Sequence, residues 1–489
     1  MATRAMLEPQ QLLIDGDWSH AESDATFTTR NPFNGELASS AAAAAPADAR
    51  AAVEAAHRAF EQWSTSAPSH RRELLTRASE VLIERQEAIA EVMIEETGAT
   101  FGWGMFNCMF AAAILREAAT QAYGGVGEVI PSDVPGKLAM AVRSPVGVVV
   151  GIAPWNAPVI LATRAIAAPL AFGNTVVLKG SELCPRTHAA VASVLVDAGS
   201  PAGVINFMAN APPDAAAVVE ELIAHPQTRR VNFTGSTRVG RIIAETAGRH
   251  LKRVLLELGG KAPFIVLADA DLDRAAAAAS FGAFMHQGQI CMSTERVIVD
   301  RSVAEPFAQR LADRARALTV GDPRDPATQI GPLINDDAMQ RVAALVADAG
   351  ELGANVLCGG TAQGPCFEPT VLLGVTPAMR VYGEESFGPL AAIVTVDGAD
   401  EAVSVANDTD YGLAAAIFSR DIPTALELAR RVESGICHIN DATVQDEPQM
   451  PFGGVKASGW GRFGGRAALE EFTELRWITV QGTERHYPI

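Results

Sequence analysis

The sequence predicts an α/β fold whose first half is a doubly wound parallel sheet. Three observations carry this reading. The chain has 489 residues, beyond the size at which one core keeps growing, so two or three domains are expected. Its middle alternates β-branched runs with Ala-rich helical runs, the signature of strands joined by crossover helices. Polar, glycine-containing turns at Lys179-Gly180-Ser181-Glu182 and Gly235-Ser236 follow strand-like runs, at the strand ends where open α/β sheets take their ligands.

Taken in order, residues 8 to 40 hold short alternating pieces with turns at Gly16-Asp17 and Asn31-Pro32-Phe33-Asn34-Gly35, a small antiparallel opening segment. From Ala47 to Thr97, Ala, Leu, Ile, Glu and Arg recur at three-to-four spacing, which predicts helix, with Gly98 as its C-cap. A further helix is expected from Trp103 to Tyr123, closed by Gly124-Gly125. Gly125 to Val146, broken by Pro131, Pro135 and Gly136, reads as an excursion from the core. Strands then follow at Val148 to Ala153, Thr175 to Leu178, Val204 to Phe207, Arg230 to Phe233 and Val254 to Leu256. Helices separate them at Pro158 to Phe172, Pro185 to Ala198, Pro213 to His225 and Arg238 to Ala247. A second alternating region begins at Pro263-Phe264-Ile265-Val266-Leu267 and extends through Leu413 to Phe418 and Gly435 to Asn440, which puts a boundary near Glu257 to Lys261. The β-type tail Trp477-Ile478-Thr479-Val480 is expected to pair with the excursion, on its own subunit or a neighbour's.

A net charge of −18 argues against nucleic acid or an anionic membrane as partner, since both need basic surface. Six dispersed cysteines without a CxxC pair point to a reducing compartment. Met1 to Trp18 has neither a basic-then-apolar nor an Arg-rich pattern, so a cytoplasmic protein is expected. The apolar stretch Ser144 to Phe172 is interrupted by Pro154, Pro158 and Arg164, which argues against a membrane span. Nine scattered histidines without ligand spacing leave no expected metal site, and no G-x-S-x-G elbow is present for a serine hydrolase.

Chemistry therefore rests on Cys, Glu and backbone amides. Cys291 lies in Gly288-Gln289-Ile290-Cys291-Met292-Ser293-Thr294. In that polar, glycine-spaced setting free amides would lower a thiol pKa; the alternative is a small buried hydrophobe. Gly459-Trp460-Gly461-Arg462-Phe463-Gly464 matches G-x-G-x-x-G but follows Lys456-Ala457-Ser458 rather than a strand, and is read as a decoy. Gly235-Ser236-Thr237-Arg238-Val239-Gly240 lacks the Lys-Ser/Thr of a P-loop, yet its amides would open a helix and suit a pyrophosphate. Lys179 and Glu182 would bracket a ribose or form a solvated pair. Glu257, between an apolar strand and Gly259-Gly260, is either a desolvated general base or a surface carboxylate.

Together these segments resemble the aldehyde dehydrogenase superfamily along nearly the whole chain. The resemblance rests on Pro154-Trp155-Asn156, Lys179-Gly180-Ser181-Glu182, Phe233-Thr234-Gly235-Ser236, Glu257-Leu258-Gly259-Gly260-Lys261, Gly288-Gln289-Ile290-Cys291, Glu385-Ser386-Phe387-Gly388-Pro389 and Pro451-Phe452-Gly453-Gly454. It implies Cys291 as nucleophile, Asn156 with the Cys291 amide as oxyanion hole, and Glu257 as the base that activates water. It also implies an NAD site at Lys179, Glu182, Gly235, Ser236, Glu385 and Phe387, with Trp155, Gly240 and Leu258 beside them. Glu182 favours NAD over NADP, because a carboxylate repels a 2′-phosphate. Gly180 replaces the usual proline and is expected to loosen the adenosine-side loop.

The implied architecture has a doubly wound Rossmann-type NAD-binding domain (1–125 and 147–256), an α/β catalytic domain (257–464) and a small β oligomerisation arm (126–146 and 465–489), in a homodimer or homotetramer. Trp155 to Leu161, His286 to Thr294 and the ending Arg485-His486-Tyr487-Pro488-Ile489 resemble the aromatic branch, the salicylaldehyde and vanillin dehydrogenases. Trp103, Trp155, Phe452 and Phe463 then become ring-stacking walls and Arg164 a partner for a ring hydroxyl or phenolate, or else these are core residues and Arg164 pairs with a structural carboxylate. A hydroxylated aromatic aldehyde is the expected substrate. The alternatives are an aliphatic or semialdehyde dehydrogenase, or a non-catalytic NAD-binding scaffold.

Overall fold

The computed structural model describes residues 8–125 and 127–489. The expectation for Met1 to Trp18 falls partly, and the start of the arm at Val126 wholly, outside the described residues. Two antiparallel hairpins open the chain, β1 (Leu12–Ile14) with β2 (Asp17–Ser19) and β3 (Thr26–Arg30) with β4 (Leu37–Ala42). Four helices follow, α1 (Pro46–Thr65), α2 (Pro68–Glu84), α3 (Gln86–Thr97) and α4 (Phe101–Gln121). The single helical run expected from Ala47 to Thr97 is thus three helices. Pro68 stands at the first turn of α2, and Ser66 and Ala67 before it are extended, because a proline disfavours helical geometry in its predecessor. Gly98 caps α3 with φ +68 and donates its N–H to the Ile94 carbonyl at 3.0 Å.

After the antiparallel pair β5 (Glu128–Ile130) and β6 (Lys137–Pro145), the chain enters its first large sheet. Here β7 (Val148–Ile152), β8 (Thr175–Lys179), β9 (Ile205–Met208), β10 (Thr228–Thr234) and β11 (Arg253–Glu257) alternate with α5 (Pro158–Ala171), α6 (Pro185–Asp197), α7 (Ala215–Ala224) and α8 (Thr237–Arg249). The strands are parallel in the order β9-β8-β7-β10-β11. Every residue of β7, β8 and β9 is buried, which is why these runs are near-continuously apolar, broken only by Thr175, Lys179 and Asn206, rather than alternating. The order reverses between β7 and β10, the topological switch point at which such sheets bind ligands.

The second large sheet starts four residues later with β12 (Ala262–Val266). Helix α9 (Leu272–Phe284) leads to the turn that carries Cys291 and to β13 (Thr294–Asp300). The sheet is completed by β14 (Asn355–Cys358), then, past a small hairpin of β15 (Ala362–Gln363) and β16 (Cys366–Phe367), by β17 (Thr370–Leu373), β18 (Leu390–Val396), β19 (Ala414–Phe418) and β20 (Ile436–Ile439). Its order is β14-β17-β18-β13-β12-β19-β20, parallel except at β14. No helix among the described residues is long and apolar enough to cross a membrane.

Two late segments lie elsewhere than expected. Strand β21 (Gly459–Trp460), within the 257–464 span, adds to the first sheet antiparallel to β11. The helix Gly465–Phe472 packs against α5, so the tail joins the arm only from β22 (Thr473–Gln481). There Thr473 to Gln481 pair antiparallel with Pro145 to Lys137 of the same chain. Arg230, fully buried in β10, donates to Glu471 at 3.3 Å and to Glu474 at 3.0 Å, and so ties the sheet to the tail. The guanidinium is buried, but Glu471 and Glu474 reach solvent at 18% and 59% exposure, so neither carboxylate is stranded when the cation is removed. Arg230→Met is expected to lower unfolding free energy by about 1 kcal/mol at most, read as a shift in urea midpoint; an unchanged midpoint would show the tie carries no stability.

Candidate active site

A cavity of about 250 Å³ opens where the strand ends of the first sheet face the Cys291 turn. It gathers Trp155 and Asn156 from the loop after β7, Gly235 and Ser236 after β10, and Glu257 and Leu258 at the end of β11. Cys291, Glu385 and Phe387 reach it from the second sheet. Lys179 and Glu182 lie at the end of β8, their charges 3.7 Å apart. Gly240 packs on Leu258: a Cβ there would lie 2.5 Å from a Leu258 methyl. The decoy glycines serve close packing, since a Cβ on Gly459 would lie 2.0 Å from the Leu256 carbonyl oxygen.

Cys291 is held by a tight turn. His286, Gln287 and Gly288 are consecutive left-handed residues with φ of 49, 56 and 69, and Ser293 Oγ closes the turn by donating to the Gly288 carbonyl at 3.0 Å. Asn156 is fixed from two sides. Its side-chain amide donates to the Gln289 carbonyl at 2.9 Å, and its own carbonyl accepts the Trp103 indole N–H at 3.0 Å. Trp103 is covered by His286, the rings stacked at 5.0 Å; its contact with the site runs through Asn156.

The electrostatics differ from the sequence expectation. Burial pushes the Cys291 thiol up to about 12, and the nearby Glu257 and Glu385 carboxylates reinforce the shift. Local amides do not offset so large a desolvation, so the expected lowering is not found. Glu257 is 3% exposed and neither carboxylate oxygen has a partner. Burial therefore drives its pKa well above the usual carboxylate range, opposed by Arg164 and Arg462. Arg164 is itself paired with Asp446, with its guanidinium 4.4 Å from the centre of the Phe452 ring.

Sequence reasoning missed the clamp behind the cavity. Lys261, fully buried, donates to Glu295 at 2.6 Å and to Ser386 Oγ at 3.1 Å. Glu295 in turn accepts the backbone N–H groups of Ser386 and Phe387 at 2.9 and 3.1 Å, which positions Glu385 and Phe387. A signal existed: Glu295 and Arg296 are charges directly before the apolar run Val297 to Val299, and a buried charge needs a partner. Ser458 also went unnoticed; its hydroxyl donates to the Gly259 carbonyl at 2.7 Å. Gly180 is fastened rather than loose, since its N–H donates to the Met208 carbonyl at 2.8 Å, a bond proline cannot make.

The residues fit a dinucleotide. Helix α8 starts at the switch point with Ser236 as its N-cap, the side chain accepting from Val239 N–H, and an N-terminus so placed suits a pyrophosphate. Two strands from β10, at the end of β8, Lys179 and Glu182 provide a cation and a carboxylate 3.7 Å apart, groups that suit a ribose. A half-buried thiol, an unpartnered carboxylate and an anchored amide facing such a site suit acyl chemistry on a cysteine.

Comparison with known proteins agrees. Residues 18–478 match the model of the aldehyde dehydrogenase family. The chain is 57% identical over 478 residues to a vanillin dehydrogenase of Pseudomonas fluorescens, covering 98% of this chain and 99% of that protein. It is 43% identical to a benzaldehyde dehydrogenase [NAD(+)] of Pseudomonas putida, over 94% of each. The crystal structure of a salicylaldehyde dehydrogenase from Pseudomonas putida G7 complexed with salicylaldehyde superposes with a TM-score of 0.96 at 45% identity, over 98% of this chain and 99% of that one. The chain belongs to the aldehyde dehydrogenase family and is an aldehyde dehydrogenase that works with a nicotinamide cofactor.

Proposed function

We propose that this enzyme oxidises a hydroxylated aromatic aldehyde, of the vanillin or salicylaldehyde kind, to its carboxylic acid with NAD, through a thiohemiacetal and a thioester on Cys291. The observation that carries the mechanism is that Cys291, Glu257 and Asn156 line one cavity. The aromatic substrate is supported by the relatives at 57% and 45% identity, whose names refer to vanillin and salicylaldehyde.

At neutral pH the resting nucleophile is a protonated thiol. Its sulfur adds to the aldehyde carbon, and the thiol proton ends on the carbonyl oxygen. Asn156 gives one amide proton to the Gln289 carbonyl and turns the other, with the Cys291 N–H, toward that oxygen as negative charge builds on it ahead of the proton. Glu385 and Phe387 would hold a nicotinamide that supplies a hydride acceptor for the aldehyde carbon. With the hydride gone and the hydroxyl proton passed to solvent water, the thioester remains. Glu257, with both oxygens unpartnered, takes a proton from the water that cleaves it, releasing the acid and the thiol. Trp155, Leu258 and Gly240 shape the cofactor wall, and Gly235 and Ser236 hold the pyrophosphate. Lys179 and Glu182 take the adenosine ribose, and Glu385 and Phe387 the nicotinamide side. Glu182 favours NAD by repelling a 2′-phosphate. Phe452 and Arg164 flank the substrate ring.

The three-stranded arm exposes Val129 (72%), Trp477 (76%) and Val480 (53%), too much apolar surface to leave uncovered, which supports a homodimer or homotetramer. Six free cysteines support a cytoplasmic location.

NADH formation from a panel of aldehydes tests the reading. Hydroxybenzaldehydes are expected to give the highest kcat/KM, NADP to be the poorer cofactor, and Cys291→Ala to be inactive; equal rates for Cys291→Ala would sink the mechanism, and a preference for aliphatic aldehydes the substrate. Burial holds the Glu385 carboxyl at about 7, so it is mostly neutral below that pH and becomes a better acceptor for a ribose hydroxyl above it. The Kd for NAD is therefore expected to fall as pH rises through about 7. Glu385→Gln should flatten the profile, and a slope that survives in that variant would assign it to another group.

A further inference from the structure

Two buried rings, His286 and Trp103, complete a closed circuit around Asn156. The Asn156 carbonyl accepts the Trp103 indole N–H at 3.0 Å, and its side-chain amide donates to the Gln289 carbonyl at 2.9 Å. Gln289 in turn donates its backbone N–H to the His286 carbonyl at 3.0 Å. The circuit closes through space, because the His286 ring lies flat on Trp103 with 5.0 Å between centroids and 14° between planes. His286 also leans toward Trp155, the neighbour of Asn156, the rings 6.4 Å apart and tilted by 58°.

The polar atoms of the His286 ring do not explain its presence. Neither ring nitrogen has a hydrogen-bond partner among the described residues, and the residue is 1% exposed. Burial pushes its pKa down to about 3, opposed by the Asn156 carbonyl to which Trp103 already donates, so the ring is uncharged at neutral pH. Unpartnered buried nitrogens call for a reason, and the backbone supplies one. His286 has a φ of +49, a left-handed conformation in which Asn, Asp and His are enriched and bulky side chains are rare. Of those three, only histidine offers a flat aromatic face for stacking.

Resting on the reading of Asn156 as oxyanion donor, we propose that His286 is a positioning residue for the reaction. Its ring backs Trp103, whose indole N–H holds the Asn156 carbonyl and so aims the side-chain amide at the oxygen of the reacting aldehyde. Asn156 is thereby fixed at both ends, by Trp103 at its backbone and by Gln289 at its side chain. An oxyanion donor is effective when it is in place before charge develops, and a flat ring packed on the indole opposes its rotation.

The test is the first-turnover rate constant for NADH formation at saturating NAD and aldehyde, with KM for both, in wild type, His286→Asn, Trp103→Phe, the double variant and Asn156→Ala. A first-order constant does not depend on the fraction of protein folded. His286→Asn keeps the left-handed turn and removes the ring; Trp103→Phe keeps a ring and removes the N–H. Each is expected to slow the first turnover about tenfold, less than the hundredfold or so expected for Asn156→Ala, with both KM values changed less than about twofold. The double variant should match the slower single variant within about twofold, because both changes break one support. A wild-type rate in His286→Asn, or single effects that multiply in the double variant, would overturn the proposal. So would a raised aldehyde KM with an unchanged rate, which would make the rings part of the substrate wall. Failure of the oxyanion reading is separate, since it would appear as a wild-type rate in Asn156→Ala.

Discussion

The site depends on how closely two backbones approach at Gly259-Gly260. A Cβ on Gly259 would lie 2.4 Å from Glu385 Oε2, and one on Gly260 would lie 2.5 Å from the Cys291 carbonyl oxygen; no side chain fits at either distance. Because both positions are bare, the end of β11 lies against the Cys291 turn and Gly260 donates its N–H to Glu385 at 2.9 Å. The four residues that pass from the first sheet to the second therefore set Glu257 and Cys291 in one cavity. Lys261, the last of them, carries the ion pair with Glu295 that fixes Ser386 and Phe387. Buried ion pairs add little net stability and much geometric definition, which is the role this one has here.

The same closeness sets the charge state. Cys291, Glu257 and Glu385 are all shifted upward, burial being the largest cause for each. Of the cations that oppose this around Glu257, Arg164 is committed to Asp446 and Arg462 donates to the Gly454 and Gly461 carbonyls. Burial thus disfavours the charged form at each of these three positions. A protonated thiol delivers both atoms of its S–H bond to a carbonyl, and a carboxyl group with a raised pKa is suited to take a proton from water near neutral pH.

Much of the fold was legible because parallel strands covered on both faces are near-continuously apolar, and β7, β8 and β9 are so apart from Thr175, Lys179 and Asn206. Gly235-Ser236 was legible because strand, turn and helix come in that order. Periodicity hid the break at Pro68, where the Ala- and Leu-rich pattern continues across two helices. Nothing in two residues such as Gly459-Trp460 announces that they add to a sheet more than two hundred residues away in sequence. The thiol shift was illegible for a related reason: it is set by burial under segments distant in the chain, while the amides beside Cys291 pointed the other way. Arg164 pairs with a carboxylate, the second of its two sequence readings, through Asp446.

The central claim is that Glu257, unpartnered and buried against the Cys291 turn, acts on the water that cleaves the thioester. Rapid-mixing measurement of NADH release by Glu257→Gln tests it most directly. A burst close to one equivalent per active site is predicted, followed by steady turnover slowed about a hundredfold or more, as for loss of a general base. Loss of the burst, or turnover equal to wild type, would contradict it.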